Sequence, residues 1–181
     1  GIKPTRPETG FGYLERGARV SDQEQPLEGS EGGRVEPRCE VRRFVEKPSR
    51  EVVERYLSSG DFLWNSGLFV MSVERLLSEV ARQLPELWAA LEAIEPTIGT
   101  PEYEPVLAER FATLRSVSLD YGVMEGAEGV EVVPVELGWS DVGHWAALRE
   151  LYPQDAEGNV KVGASHLTLE ARDNVIYSER P

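Results

Sequence analysis

Four short stretches of the 181-residue chain gather side chains able to hold a polar, charged ligand: ETGFG at 8–12, VEKPS at 45–49, FLWNSG at 62–67 and GWSDVGHW at 138–145. Gly10 and Gly12 flank Phe11 and leave bare backbone that a ligand can approach closely. The Glu46 carboxylate can accept bonds from vicinal hydroxyls of a sugar, and the Lys47 ammonium can neutralise a phosphate as a point charge. Adjacent residues on a strand point to opposite faces. Both can touch one ligand only where a strand end crosses a pocket, and Pro48 marks such an end while predicting an extended Lys47. Asn65 offers a donor and an acceptor to a sugar hydroxyl. Asp141, where a loop hands over to a helix, suits Mg²⁺, which takes one or two protein carboxylates plus phosphate oxygens and water. Each stretch also has a plain reading: a turn at ETGFG, a solvated ion pair at Glu46–Lys47, a turn-forming Asn65, and a helix cap at Asp141 or Ser140.

The elements that must position these residues follow from periodicity. A short strand is expected at Gly12–Leu14, then an acidic, Gly-rich surface excursion over 21–38. CEVRRFVEKP reads as a strand with Val41 and Val45 on one face and Phe44 on the other. Ser49 caps a helix whose stripe is Val52, Val53, Tyr56 and Leu57, and Gly60 stops it. A turn at Asn65–Gly67 leads into a buried strand over Leu68–Met71. The next helix carries Val73, Leu76, Leu77, Val80 and Leu84, and Pro85 opens another. A further helix starts at Thr100-Pro101-Glu102, and SLDYGVME forms a short capped one. Val130–Val135 reads as one buried strand, and Val142, Trp145, Leu148 and Tyr152 as a helical stripe. From about residue 153 the pattern turns to β alternation. Strand alternating with helix up to 152 predicts an α/β layered fold.

Composition narrows the function. A net charge of −13 repels nucleic acid and anionic membrane, so neither is expected as a partner, and a phosphate site needs a local cation and a metal. Cys39 is the single cysteine, so no disulfide forms within the chain and the cytoplasm fits. No apolar run approaches the roughly 20 residues that span a bilayer. His144 and His166 stand at no metal-ligand spacing and read as structural. GxSxG, CxxC, HExxH and P-loop motifs are absent.

In order, PTRPETGFGYLERG, RFVEKPS, GDFLWNSGLFV, SVSLDYGVMEG and LGWSDVGHWAAL together resemble the mannose-1-phosphate guanylyltransferases, a branch of the sugar nucleotidyltransferases. The resemblance runs from Gly1 to about Tyr152. It implies a partial Rossmann-like nucleotide-diphospho-sugar transferase domain over 1–152, its C-terminal, sugar-binding half, with 153–181 as the start of a β-rich, β-helix-like linker. The implied reaction joins GTP and mannose-1-phosphate into GDP-mannose and pyrophosphate with Mg²⁺ by in-line displacement. Gly12 is then expected to offer backbone to the sugar, Glu46 and Asn65 to hold mannose hydroxyls, and Lys47 to meet the sugar phosphate. Asp141 is expected to hold Mg²⁺, and Asp120 to be a supporting or sugar-side residue. The chain departs from the usual pattern at Gly122 and His144 and in the length of 21–38. The nucleotide loop GGxGxRLxPxS of such enzymes does not occur in it, so the chain alone is expected to be inactive. A homodimer is a candidate assembly that the sequence does not fix. A glucose-1-phosphate nucleotidyltransferase of a sister branch and a non-catalytic sugar-phosphate-binding module remain alternatives.

Overall fold

Gly12–Arg19 (β1) buries Tyr13 and Leu14, Cys39–Glu46 (β4) carries the strand-favouring Val41, Phe44 and Val45, and the two pair antiparallel at the centre of a sheet. The computed structural model describes residues 1–20, 25–26, 34–163 and 167–179, with 25, 26 and 34 described by backbone alone. Most of the 21–38 excursion, and His166, lie outside the described residues; within it, Gln25–Pro26 (β2) and Arg34–Val35 (β3) pair with each other.

Arg50–Ser59 (α1) follows β4 and leads into Phe62–Trp64 (β5), which joins the opposite side of β1. The sheet order is β5-β1-β4-β6, where β6 is Glu131–Val132. Since β4 and β5 both run antiparallel to β1, they are parallel to each other, and α1 crosses between them. The expected strand–helix–strand unit is therefore present, with β1 inserted into it. The mixed helix and strand architecture holds as expected.

Both faces of the sheet are covered. On one, Tyr13 and Trp64 pair across β1 and β5, and Tyr56 of α1 stacks on Phe62 at 3.6 Å between ring centroids. On the other, Leu14, Phe44 and Leu63 form a cross-strand row packed with Val80, Val123 and Met124. The helices Val73–Gln83 (α2) and Pro85–Ile94 (α3) close that face through Leu76, Leu84, Leu87, Trp88 and Leu91. Burying side chains of this size is worth about 1.5–3 kcal/mol each. Tyr103–Thr113 (α4) packs on α3, and Leu119–Gly122 (α5) is a single turn capped by Ser118.

Several elements differ from the sequence reading. Val41 packs against the same core cluster as Phe44, because the β1–β4 register slips beyond Glu15–Arg43 and the alternation resets at a bulge. The strand in FLWNSGLFVM lies before the turn, over β5, whereas Leu68–Met71 forms no strand. Phe69 and Met71 still face the core, while Leu68 is 75% exposed and Val70 fully so. Val130–Val135 is not one strand. Pro134 lacks an N–H, and the two pieces serve different partners: β6 pairs with β4, and Val135–Glu136 (β7) pairs with β3.

The expected stripe on α2 holds in part: Leu76, Val80 and Leu84 pack on the core. Val73 and Leu77 are exposed, and the buried residues are Glu79 and Val80. Glu79 is bracketed by Arg75 at 2.6 Å and by Arg82, and accepts from Gln83 at 2.7 Å. The same three side chains continue to main-chain carbonyls of Glu128, Gly126 and Val123. Burial alone would raise the Glu79 pKa, but hydrogen bonds from Arg82 and Gln83 and the charges of both arginines hold it below the ordinary glutamate value.

By density of contacts the chain divides into Gly1–Leu137 and Gly138–Pro181. The second unit holds a 3₁₀ turn at Trp145–Ala147, the short helix Leu148–Leu151 (α6), and two parallel strands, Val160–Gly163 (β8) and Val175–Ser178 (β9). Val142 lies outside the helical turns with a left-handed φ of 47°. Asn159, only 1% exposed, bonds Asp155, Ala171 and Asn174 and ties the turn before β8 to the turn before β9.

Glu79→Ala is expected to lower stability by about 2 kcal/mol near neutral pH, since it strands two arginines and a glutamine. Because the Glu79 pKa is depressed in the fold, its contribution is complete above the ordinary glutamate range and fades as pH falls through the folded pKa. Urea denaturation of both proteins at neutral and acidic pH measures this. An unchanged midpoint at neutral pH would remove the network from the stability of the unit.

Candidate sugar-phosphate site

The first unit brings five of the predicted residues together: Gly12, Glu46, Lys47, Asn65 and Asp120. Gly12 begins β1 and pairs directly with Glu46 at the end of β4. A Cβ at position 12 would collide with Glu46 Oε2 and stand 3.2 Å from the Asn65 side chain, so any other residue there must displace the carboxylate. The backbone closes the same corner: Asn65 N–H donates to the Gly12 carbonyl at 2.8 Å, and Lys47 N–H to Phe11 at 3.2 Å.

The loop in front of Gly12 is held by aromatic contacts. Trp64 Nε1 donates to the Tyr13 hydroxyl, which in turn donates to the Glu8 carbonyl. Phe11 meets Trp64 edge to face at 5.2 Å, and the Arg6 guanidinium lies over the same indole. This is why FLW precedes the site turn: its buried aromatics carry the PETGFG loop.

Lys47 is not extended as Pro48 predicts. Its φ is 47°, in the left-handed region, which costs a non-glycine residue about 1–2 kcal/mol. The turn folds Lys47 back over its neighbour, and Nζ lies 3.2 Å from Glu46 Oε1. Acid and base that a regular strand would separate thus share one side. Glu46 is otherwise starved of partners: its side chain is 9% exposed, and Oε2 is buried with no hydrogen bond among the described residues. Burial pushes the Glu46 pKa up, against the hydrogen bond from Lys47, and the nearby Asp120 and Glu125 charges add to the rise. The Lys47 pKa is raised by its hydrogen bond and charge pairing with Glu46.

Asn65 serves its turn and its neighbours. Oδ1 accepts from Gly67 N–H, as in an Asx turn, and Nδ2 donates to Asp120 Oδ1 at 2.8 Å. One amide hydrogen and one lone pair are left for a ligand. Asp120 therefore orients Asn65. Glu125, which the sequence reading passed over, accepts from the Glu46 backbone N–H at 3.0 Å and fixes the strand end. It sits in a 3₁₀ turn at Met124–Gly126, where no periodicity marks it; its place within SLDYGVMEG is the one available signal.

Asp141 belongs to the second unit. It is exposed, and among the described residues it makes no ion pair or side-chain hydrogen bond. It is not the helix cap: His144 Nδ1 accepts from Ala147 N–H at 3.2 Å and takes that role. A Cβ at Gly143 would lie 2.7 Å from Asp141 Oδ2, so glycine keeps the carboxylate clear. Among the described residues no group of three or more His, Cys, Asp or Glu could enclose a metal ion. A lone, unpartnered carboxylate nevertheless fits Mg²⁺, which completes its shell with phosphate and water.

A carboxylate with one oxygen unpartnered among the described residues, a lysine on the other and an amide with spare capacity suit a hydroxylated, anionic ligand. The nucleotidyl transferase family model matches residues 1–158, and the chain belongs to that family. It is 38% identical to a mannose-1-phosphate guanylyltransferase of Klebsiella pneumoniae, over 90% of this chain and 32% of that protein. It is 37% identical to one of Escherichia coli K12, over 99% of this chain and 35% of that protein. Among solved structures, one described as a mannose-1-phosphate geranyltransferase from Thermus thermophilus superposes with a TM-score of 0.73 at 35% identity, over 99% of this chain and 47% of that one. The chain spans about a third of the length of the curated relatives it matches. No helix among the described residues is long and apolar enough to cross a membrane.

The left-handed Lys47 yields a test. Lys47→Gly and Lys47→Ala both delete the ion pair, but only glycine relieves the backbone. The glycine variant is expected to be about 1 kcal/mol more stable than the alanine variant by urea denaturation. Equal stabilities would mean that the turn relaxes without strain.

Proposed function

We propose that residues 1–152 form the sugar-binding part of a guanylyltransferase acting on mannose-1-phosphate. The observation that carries this reading is the buried, unpartnered Oε2 of Glu46 beside Lys47. A buried acceptor is costly without a donor, and vicinal sugar hydroxyls supply donors. Glu46 and Asn65 hold the hexose hydroxyls, Gly12 offers its backbone to the sugar, and Asp120 keeps Asn65 aimed. Lys47 takes the ester phosphate and directs its oxygen toward the nucleotide α-phosphorus. Asp141 supplies a carboxylate for Mg²⁺, which when bound neutralises charge on the reacting phosphates. Positioning and charge neutralisation account for most of such a displacement. The names of the relatives, mannose-1-phosphate guanylyltransferases, support the choice of mannose and guanylate over a sister branch. Buried Cys39, the single cysteine, is in keeping with a cytoplasmic setting.

The chain is read as part of a larger catalytic domain. Over Leu68–Met71 burial alternates: Phe69 and Met71 lie against the core, while Leu68 and Val70 are open. Among the described residues their N–H groups bond no backbone carbonyl. Such an apolar edge is a pairing surface for further strand.

Incubated with GTP, mannose-1-phosphate and Mg²⁺, the 181-residue chain alone is expected to release no pyrophosphate; sustained GDP-mannose formation would overturn the partial-domain reading. In an intact enzyme carrying this sequence, Asp141→Asn is expected to lower Mg²⁺-dependent kcat by at least about 100-fold with the melting temperature preserved. Near-wild-type turnover would take the metal away from Asp141.

A further inference from the structure

Lys47 also faces an open pocket of about 660 Å³ on the first unit. Its polar lining includes Lys47, Arg115, Ser116, Ser118 and Tyr121, and no carboxylate residue contributes to it. In a chain with 32 acidic and 19 basic residues, a pocket with two cations and no acid in its wall is a departure from the surface average. Arg115 lies in the segment between α4 and the Ser118 cap of α5. Its side chain is exposed, and among the described residues it makes no ion pair or side-chain hydrogen bond.

Charge bookkeeping gives that arginine a role. The Lys47 ammonium is already offset by Glu46 at 3.2 Å, and Asp120 acts on it from nearby. Lys47 alone therefore leaves the corner with no net positive charge, a poor setting for a phosphate monoester carrying close to two negative charges at neutral pH. Without bound Mg²⁺, only a second, unneutralised cation makes the corner positive, and Arg115 is the cation that lines the same pocket. Its planar fork suits two phosphate oxygens at once, whereas lysine acts as a point charge. Ser116 and Tyr121 add hydroxyl donors beside it.

We propose that Arg115 is a substrate-binding residue that grips the phosphate of the sugar phosphate together with Lys47 and makes the site select the phosphorylated sugar over the free one. The proposal rests on the reading of Glu46 and Lys47 as the sugar-phosphate corner.

The test is calorimetric titration of an intact enzyme carrying this sequence with mannose-1-phosphate, inorganic phosphate and mannose, using wild type, Arg115→Ala, Arg115→Lys and Lys47→Ala. Because Arg115 is exposed, its truncation leaves the melting curve in place, which is checked alongside. Arg115→Ala is expected to weaken mannose-1-phosphate and inorganic phosphate about tenfold and leave mannose unchanged, with Arg115→Lys between it and wild type. Wild-type affinity in Arg115→Ala, with weakened binding in Lys47→Ala, overturns the role of Arg115 while the sugar-phosphate corner stands. An equal loss for mannose and mannose-1-phosphate overturns the phosphate assignment. No binding of mannose-1-phosphate by wild type overturns both readings together.

Discussion

The arrangement of the first unit depends on one buried carboxylate. Glu79 sits inside the face of α2 that meets the core, and its two oxygens are taken up by Arg75, Arg82 and Gln83. Those side chains reach on to the carbonyls of 123, 126 and 128, so one acid clamps α2 to the segment that carries Asp120 and Glu125. Asp120 then orients Asn65, and Glu125 fixes the backbone of Glu46. Without the pairing the burial would be unfavourable; with it, a helix remote from the ligand corner sets the placement of two of its supports.

The corner itself is assembled by accommodating one misfit. A left-handed Lys47 is the device that turns an alternating strand into a two-pronged grip, and it is held by the Lys47 N–H bond to the Phe11 carbonyl and the Glu46 N–H bond to Glu125. Gly12 opposite makes the matching concession by giving up its side chain.

Much of this was legible in local sequence, and what was not has a common cause. The Glu46–Lys47 strand end, the Asn65–Gly67 turn, the Ser118 cap and the alternation of strand with helix rest on short-range chemistry and are found where the residues place them. Three other features depend on neighbours far along the chain. The bulge that brings Val41 to the side of Phe44 arises from β1, the handedness of Lys47 from the Phe11 loop, and the burial of Glu79 from carbonyls more than 40 residues away. Helical periodicity found Leu76, Val80 and Leu84 on the buried face of α2 but missed Glu79, because it counts an acid as polar and cannot count the arginines that neutralise it. Pro134 was a readable warning that Val130–Val135 could not remain one strand. Leu68–Met71 failed for the opposite reason: its residues favour a strand, and no neighbouring strand among the described residues meets it.

The space left by Gly12 reaches back to the gene. Every non-silent single-base change in a glycine codon yields either a stop or a residue with a Cβ, and at this position that atom would fall on the Glu46 carboxylate. Drift at codon 12 therefore has no gentle intermediate. A lineage can leave glycine there only by first re-aiming the carboxylate across the ladder, so the two positions are bound to evolve as one.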